Sequence, residues 1–377
     1  MPVTYQLAVG GSPVSDDFYT AVQSLEVEEN ADAPDALLLR LPVSRTPAGD
    51  LNFVGDPTFA PGTPISLVAT PLGESAQCIF DGYALAWKLH LDRATTASTL
   101  EVWAQDASWL MNIDEKVMEW SGQTDGQVAN AIFGSYGFMV AKANTADDSP
   151  AHQEADHTLL QRDTDLRFLR GLARRSGKIL RVTCAASPGA RTGFFVTPLV
   201  SAPSAATISL VDPAAWDVDT LDFSWDVMRP TEVQTSQISF DDSSGDGVPG
   251  DTDSSGLDPM DALDLVGYSG QSGTALLTAI ADPPELPLRA AGLLREAGWL
   301  VRCEGTVDAE RIGTLLRVGT VVTIEGAGTL HSGNWFVWSV RHVITQDAYR
   351  MRFTFVRNAM GPAAAGLPLS LPQIPGV

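Results

Sequence analysis

The strongest patterning lies near the C-terminus. Residues 335–344 and 349–356 are rich in β-branched and aromatic side chains and flank the polar link Thr345-Gln346-Asp347-Ala348, which predicts a long antiparallel hairpin. Along the first arm Phe336, Trp338 and Val340 alternate with Val337, Ser339 and Arg341. Along the second, Tyr349, Met351, Phe353 and Phe355 alternate roughly with Arg350, Arg352, Thr354 and Arg357, so one face is expected to bury rings and the other to carry Arg into water. Upstream, residues 288–300 read as a short helix with Leu293, Leu294 and Ala297 inward. A strand at 301–305 and another ending in Val322 and Ile324 follow, so the module reads helix, strand, strand, hairpin.

From residue 4 to about 114 the pattern is one of strands: 5–9, 22–29, 36–41, 64–70, 77–81, 83–91 and 98–105, with a Pro- and Gly-rich loop at 46–63. That density suits a small barrel or sandwich. Near Trp109 to Trp120 the period changes. Thr124 followed by Gln127 forms a capping-box pattern ahead of Val128, Ile132 and Phe133, which predicts a short helix. Residues 143–156 read as a polar loop. The run 161–177 then places Leu166, Leu169, Leu172 and Ala173 on one helical face, with acids in the first turn, Arg174 and Arg175 in the last and Gly177 as the stop. Strands are expected at 178–183, 194–199, 206–211 and 221–228, and another barrel strand at 231–240 with Val233 inward. Residues 274–281 read as helical. An acid-rich segment spanning 241–285 reads as an exposed insertion, and 361–377, without any charge, as an extended arm.

Charge narrows the possible partners. With 46 acidic against 24 basic residues the formal net charge is -22, which opposes a grip on nucleic acid because phosphate binding needs a basic surface. Such acidity favours solubility, or a conduit wall that repels acidic cargo. Cys78, Cys184 and Cys303 are dispersed and odd in number, so no disulfide framework is expected and a reducing compartment is favoured. The N-terminus lacks a secretory pattern, and no apolar run is long enough for a membrane span.

No motif selects a catalytic, cofactor or metal residue. Gly245-x-Gly247-x-x-Gly250 has the spacing of a dinucleotide loop, but Pro249 lies inside it and no helix start follows. Asp242-x-Ser244-x-Asp246-Gly247 with Asp253 approaches a calcium loop, yet Ser replaces one carboxylate and Asp the bidentate Glu, so a solvated linker is the plainer reading. His152 and His157 are five apart and lack the glutamate of a zinc helix. His90 and His331 belong to no motif. His342 is expected to make a structural hydrogen bond. Acidic pairs such as Asp114/Glu115 and Asp241/Asp242 are commonplace in so acidic a chain, and nothing singles out a glycosidase pair.

Two stretches carry a resemblance. Arg317-Val318-Gly319, Val322-Thr323-Ile324-Glu325-Gly326, Gly333-x-Trp335-Phe336-Val337-x-Ser339-Val340-x-His342 and Tyr349-x-Met351-x-Phe353 together resemble the C-terminal barrel of the phage late control gene D family. These are central hubs of contractile phage tails, related to the hub half of valine-glycine repeat spikes and to hubs of contractile injection systems. Gln161-x-x-x-Asp165-x-x-Phe168-Leu169-x-x-Leu172-Ala173-x-x-x-Gly177 resembles the helix–strand unit that this family inserts between its barrels.

The resemblance implies a mainly β fold with α+β insertions: a first β-barrel tube domain at 1–115, an inserted α+β domain at 116–220, a second barrel at 221–360 carrying the acidic insertion, and the arm at 361–377. It implies a non-enzymatic baseplate hub without cofactor, assembled in the bacterial cytoplasm as a homotrimeric ring that adapts a six-fold tail tube to a three-fold spike. Expected partners are the spike or needle protein, the inner tube or its initiator and other baseplate components, with the arm docking the spike. The rival expectations are a tail-tip peptidoglycan hydrolase and a carbohydrate-binding tail protein. The nine Trp bear on the second, but they alternate as core residues rather than clustering in loops.

Overall fold

The computed structural model describes residues 3–361, apart from 56, 94–96, 140–145, 147, 154–157, 185–186, 227, 236–250, 265, 268–269, 271 and 278–284. The first part of the chain gives β1 (Thr4–Val9), β2 (Ser12–Pro13), α1 (Asp16–Ala21), β3 (Ser24–Asn30), β4 (Ala36–Pro42), β5 (Pro64–Thr70), β6 (Gln77–His90) and β7 (Thr99–Asp106). Next come β8 (Glu115–Glu119), α2 (Asp125–Ser135), β9 (Leu160–Thr164), α3 (Asp165–Arg175), β10 (Ile179–Cys184) and β11 (Arg191–Val196). The last part supplies β12 (Ser204–Ser209), β13 (Val218–Trp225), β14 (Glu232–Thr235), β15 (Thr274–Leu277), α4 (Leu286–Ala297), β16 (Val301–Asp308), α5 (Ala309–Ile312), β17 (Val321–Glu325), α6 (Gly328–His331), β18 (Gly333–Ile344) and β19 (Tyr349–Arg357). The chain is mainly β, as its patterning predicts.

One large sheet organises the fold. Its strands run β13-β16-β19-β18-β3-β4-β7-β6-β5-β1-β2, with β17 bridging β18 and β12. Two four-stranded arcs of matching order lie within it, β3-β4-β7-β6 from the first part and β13-β16-β19-β18 from the last. They are joined where Ser339 to Ile344 of β18 pair antiparallel with Leu25 to Asn30 of β3. The fourth strand of each arc also changes partner along its length. β6 pairs with β5 through residues 77–83 and with β7 through 82–90, while β18 pairs with β17 through 333–336 before meeting β3. Gly82 sits at the handover in β6, and a Cβ there would lie 2.0 Å from the carbonyl oxygen of Gln105, so only glycine fits. The two arcs are a repeat of topology that no residue pattern discloses.

A single core cluster spans both arcs, with Leu25, Leu39, Val102, Trp335, Phe336 and Phe355 all fully buried. The inserted unit has its own core, in which Val128, Ile132 and Phe133 of α2 meet Leu169 and Leu172 of α3 and Phe195 of β11. The predicted capping box forms on α2, where Thr124 and Gln127 close it reciprocally, and α3 gains a cap from Thr164, whose hydroxyl accepts from the Arg167 N–H. β12, within the stretch expected to be insertion, already belongs to the large sheet.

Several expectations are corrected. The hairpin alternation is interrupted by a bulge between Val337 and Ser339, so Trp335, Phe336 and Val337 are buried in succession while Trp338 is half-exposed. Arg357 does not face water. It is fully buried, paired with Asp261, donating to the Ser332 carbonyl and lying 5.0 Å from the Trp335 ring centre. β14 buries Val233 but pairs in parallel with β15 as a separate two-stranded sheet rather than joining the large one. The segment read as helical from 274 is therefore a strand through Leu277, where the parallel partner supplies backbone hydrogen bonds that local propensity does not reveal. In α4, Leu294 is buried as expected, while Leu293 and Ala297 are half-buried and Ala290 and Leu286 complete the inner face.

Candidate assembly interface

The large sheet turns one face to its core and the other outward. Cross-strand register sets rows on the outer face: Asp222, Glu304, Thr354 and Ser339 in one, and Thr220, Thr306, Arg352, Arg341 and Glu28 in the next. Arg341 bridges Glu28 and Glu26, Arg40 pairs with Glu101 at 2.7 Å and Arg302 with Glu304 at 2.7 Å. A shallow cleft of about 360 Å³ runs across these rows. Acids and bases interleave on this face, so the chain's large net charge is not concentrated there.

No further strand covers either end of the eight-stranded arc among the described residues. Among the described residues β13 pairs only with β16, and β6 beyond Ala84 pairs only with β7, which leaves a row of backbone donors and acceptors at each end.

A buried ionic knot holds the modules in register. Glu29 of β3 accepts from Arg317 Nε (2.7 Å) and from the Val318 N–H (3.1 Å). Arg181 of β10 reaches Asp35 through Nη2 (3.0 Å) and donates from Nη1 to the Val318 carbonyl (2.9 Å). Asp106 accepts from the Asp35 N–H at 2.6 Å. Three carboxylates thus share two guanidiniums, so full ionisation would leave one negative charge unmatched in a site shielded from water. Burial pushes the Asp35 carboxyl up to about 7, with Glu29 and Asp106 adding to the rise against the pull of Arg181. Burial also raises Asp106. For Glu29, burial acts upward, but Arg317 and Arg181 outweigh it and hold the carboxyl below its usual range. Nearby, His342 accepts or donates at Nδ1 with the Tyr349 hydroxyl (3.0 Å), the structural hydrogen bond expected of it, and burial lowers its imidazole to about 4.

A second knot ties the inserted unit to α4. The fully buried His152 ring lies between Asp125 (Nε2–Oδ1 2.8 Å) and Glu285 (Nδ1–Oε1 3.2 Å), with Arg175 donating to Asp125 at 2.6 Å. Beside it α3 and α4 touch backbone to backbone. A Cβ on Gly292 would meet the Ser176 carbonyl carbon at 2.7 Å, and Arg295 donates to the Ser176 carbonyl at 3.0 Å.

The expectation of unpaired cysteines is corrected for two of them. Cys78 of β6 and Cys184 of β10 form a disulfide across 5.7 Å between Cα atoms, although 106 residues separate them. Packing of the inserted unit against the first arc brings them together, which spacing along the chain does not show. Cys303 is free and buried, and burial raises its thiol.

Neither a protein-family model nor a curated protein matches this chain. Solved structures do. The 43 kDa tail protein of prophage MuSo2 from Shewanella oneidensis superposes with a TM-score of 0.65 at 16% identity, over 95% of this chain and 99% of that one. A tail protein from Neisseria meningitidis MC58 gives 0.60 at 13% identity, over 95% and 97%. The chain has the fold of a phage tail protein. The same fold extends to an Escherichia coli component of the type VI secretion system, itself described as similar to T4 bacteriophage tail proteins, with a TM-score of 0.52 at 13% identity over 91% and 76% of the two chains.

Within this tail-protein fold, the sequence-level candidates for chemistry scatter. The Gly245 to Gly250 loop and all of the calcium-like set except Asp253 lie outside the described residues, as do His157, half of the 143–156 loop, the Asp241/Asp242 pair and the arm after Gly361. His90 is exposed, His331 stacks on Phe223 with ring centres 4.5 Å apart, and His152 and His342 serve the two knots. No group of three or more His, Cys, Asp or Glu among the described residues is arranged to hold a metal, and no described helix is long and apolar enough to cross a membrane. The acidic stretch after residue 251 is exposed yet anchored, since the Met260 N–H donates to Asn358 and Leu263 bridges Met360. Sequence reading missed the knot, although one signal was present: Glu29 falls on the same parity as Leu25 and Val27, which places a carboxylate on a buried face.

Proposed function

We propose that this chain is a structural baseplate hub whose copies close into a trimeric ring between tail tube and spike. One observation carries the reading: the joint inside the chain is a template for a joint between chains. β18 uses its second half to pair with β3, the first strand of the other arc, and β6 occupies the position of β18 in its own arc with its second half open among the described residues. β13 holds the place of β3, and from Val218 to Ser224 no other strand pairs with its outer edge among the described residues. Pairing β6 of one copy with β13 of the next repeats the internal joint and removes both exposed edges. Three copies then give six equivalent arcs, which matches a six-fold tube on one side and a three-fold spike on the other.

The interleaved charges of the outer rows suit a channel wall that holds no single class of charged cargo. The role is structural rather than catalytic on this reading, and the spike, the tube and other baseplate components are the partners. Sedimentation of the purified chain, alone and with its spike protein, tests it. A trimer that Thr220→Lys with Ser224→Lys on β13 reduces to a folded monomer is the expected result, and a monomer under every condition sinks the proposal. A peptidoglycan zymogram showing clearance would replace the structural role with a hydrolytic one.

A further inference from the structure

A cavity of about 510 Å³ opens between β10–β11 of the inserted unit and the turn at residues 317–319. Its walls are apolar, from Ile179, Phe194, Val196, Pro198 and Phe336, and Leu199 stands on the rim with 63% of its surface exposed. At its base lie Arg181 and Arg317. The Arg181 side chain is only 9% exposed, and its Nε finds no acceptor among the described residues. Arg317 spends Nε on Glu29 and Nη2 on the Cys78 carbonyl, and among the described residues Nη1 meets no acceptor. An apolar slot with aromatic walls and guanidinium donors suits a proline-rich extended peptide, because such a backbone makes no internal hydrogen bonds and presents its carbonyls to the receptor.

We propose that the segment 362–377 of the same chain seats in this cavity. The segment carries no charge and places Pro368, Pro372 and Pro375 among Leu367, Leu369, Leu371 and Ile374. Its root is close. Gly361 is held by the Leu330 carbonyl beside Gly333, and Phe336 on the cavity wall lies three residues further along β18, about 10 Å at strand rise. An extended segment of this length reaches about 50 Å, so the path is available with slack. This inference does not depend on ring formation, since the seat and its occupant belong to one chain.

A photo-crosslinking phenylalanine derivative at position 369 or 371 of the full chain, followed by peptide mapping, tests the seat. Crosslinks to residues 194–199 or 317–319 within a single-chain band are expected, and Leu199→Glu on the rim should lower their yield about tenfold, since a carboxylate is costly to place against an apolar ligand. Circular dichroism of Leu199→Glu controls for folding. Crosslinks that map elsewhere on the chain, that join only two chains, or that form only with an added spike protein would overturn the proposal. Sedimentation of the same samples scores the ring separately.

Discussion

Arg181 and Asp35 meet with Nη2 3.0 Å from Oδ2, although 146 residues separate them. The pair joins the inserted unit to the β3–β4 turn, just ahead of β4, and Val318 on the same guanidinium adds the last arc. Truncating one member strands the others. Arg181→Ala is expected to destabilise the chain by about 3–5 kcal/mol, because buried carboxylates are left without their cation. Urea denaturation measures this, and a loss within the noise of a surface substitution would show that the knot does not hold the modules.

The knot also predicts the pH profile. Asp35, with its carboxyl at about 7, keeps in the folded state a proton that the unfolded chain releases above about pH 4, so its contribution falls as pH rises from about 4 to 7. His342 runs the other way. Its folded imidazole titrates at about 4 and its unfolded one near 6.5, so its contribution is lost as pH falls through that window. The two oppose each other below about pH 6.5. Asp35→Asn should therefore unmask a stability that climbs with pH between about 4 and 6.5, at no more than about 1.4 kcal/mol per pH unit. Denaturation midpoints for that variant that stay level across the window would count against this assignment.

Two helical glycines are expected to differ in sign. Gly292 in α4 abuts the Ser176 backbone, so Gly292→Ala forces the helices apart, at a cost of about 1–3 kcal/mol. Gly134 in α2 faces open space, and Gly134→Ala should raise stability by about 0.5–1 kcal/mol through helix propensity. Hydrogen exchange over α3 and α4 should quicken only in the first variant.

Replacing Cys78 and Cys184 by serine releases the tie between β6 and β10. A loss of about 2–4 kcal/mol is expected, with the same shift on adding reductant to the unaltered chain. If reductant leaves the thermal midpoint of the unaltered chain in place, the two sulfurs are not bonded in solution.

The sequence by itself determined the local elements. Period-two runs placed the strands of both arcs, the capping box of Thr124 and Gln127 placed α2, and the stripe of Leu166, Leu169 and Leu172 closed by Gly177 placed α3, because these signals act between residues a few positions apart. Tertiary structure alone decided what those elements meet. The joint of β18 with β3, the parallel partner that makes a strand of residues 274–277, the pairing of Cys78 with Cys184 and the burial of Glu29, Arg181 and Arg357 all arise between segments distant along the chain. A strand's alternation states which face is apolar but is silent on which strand lies beside it. A carboxylate on the buried parity likewise shows that a cation is needed without naming the one that comes.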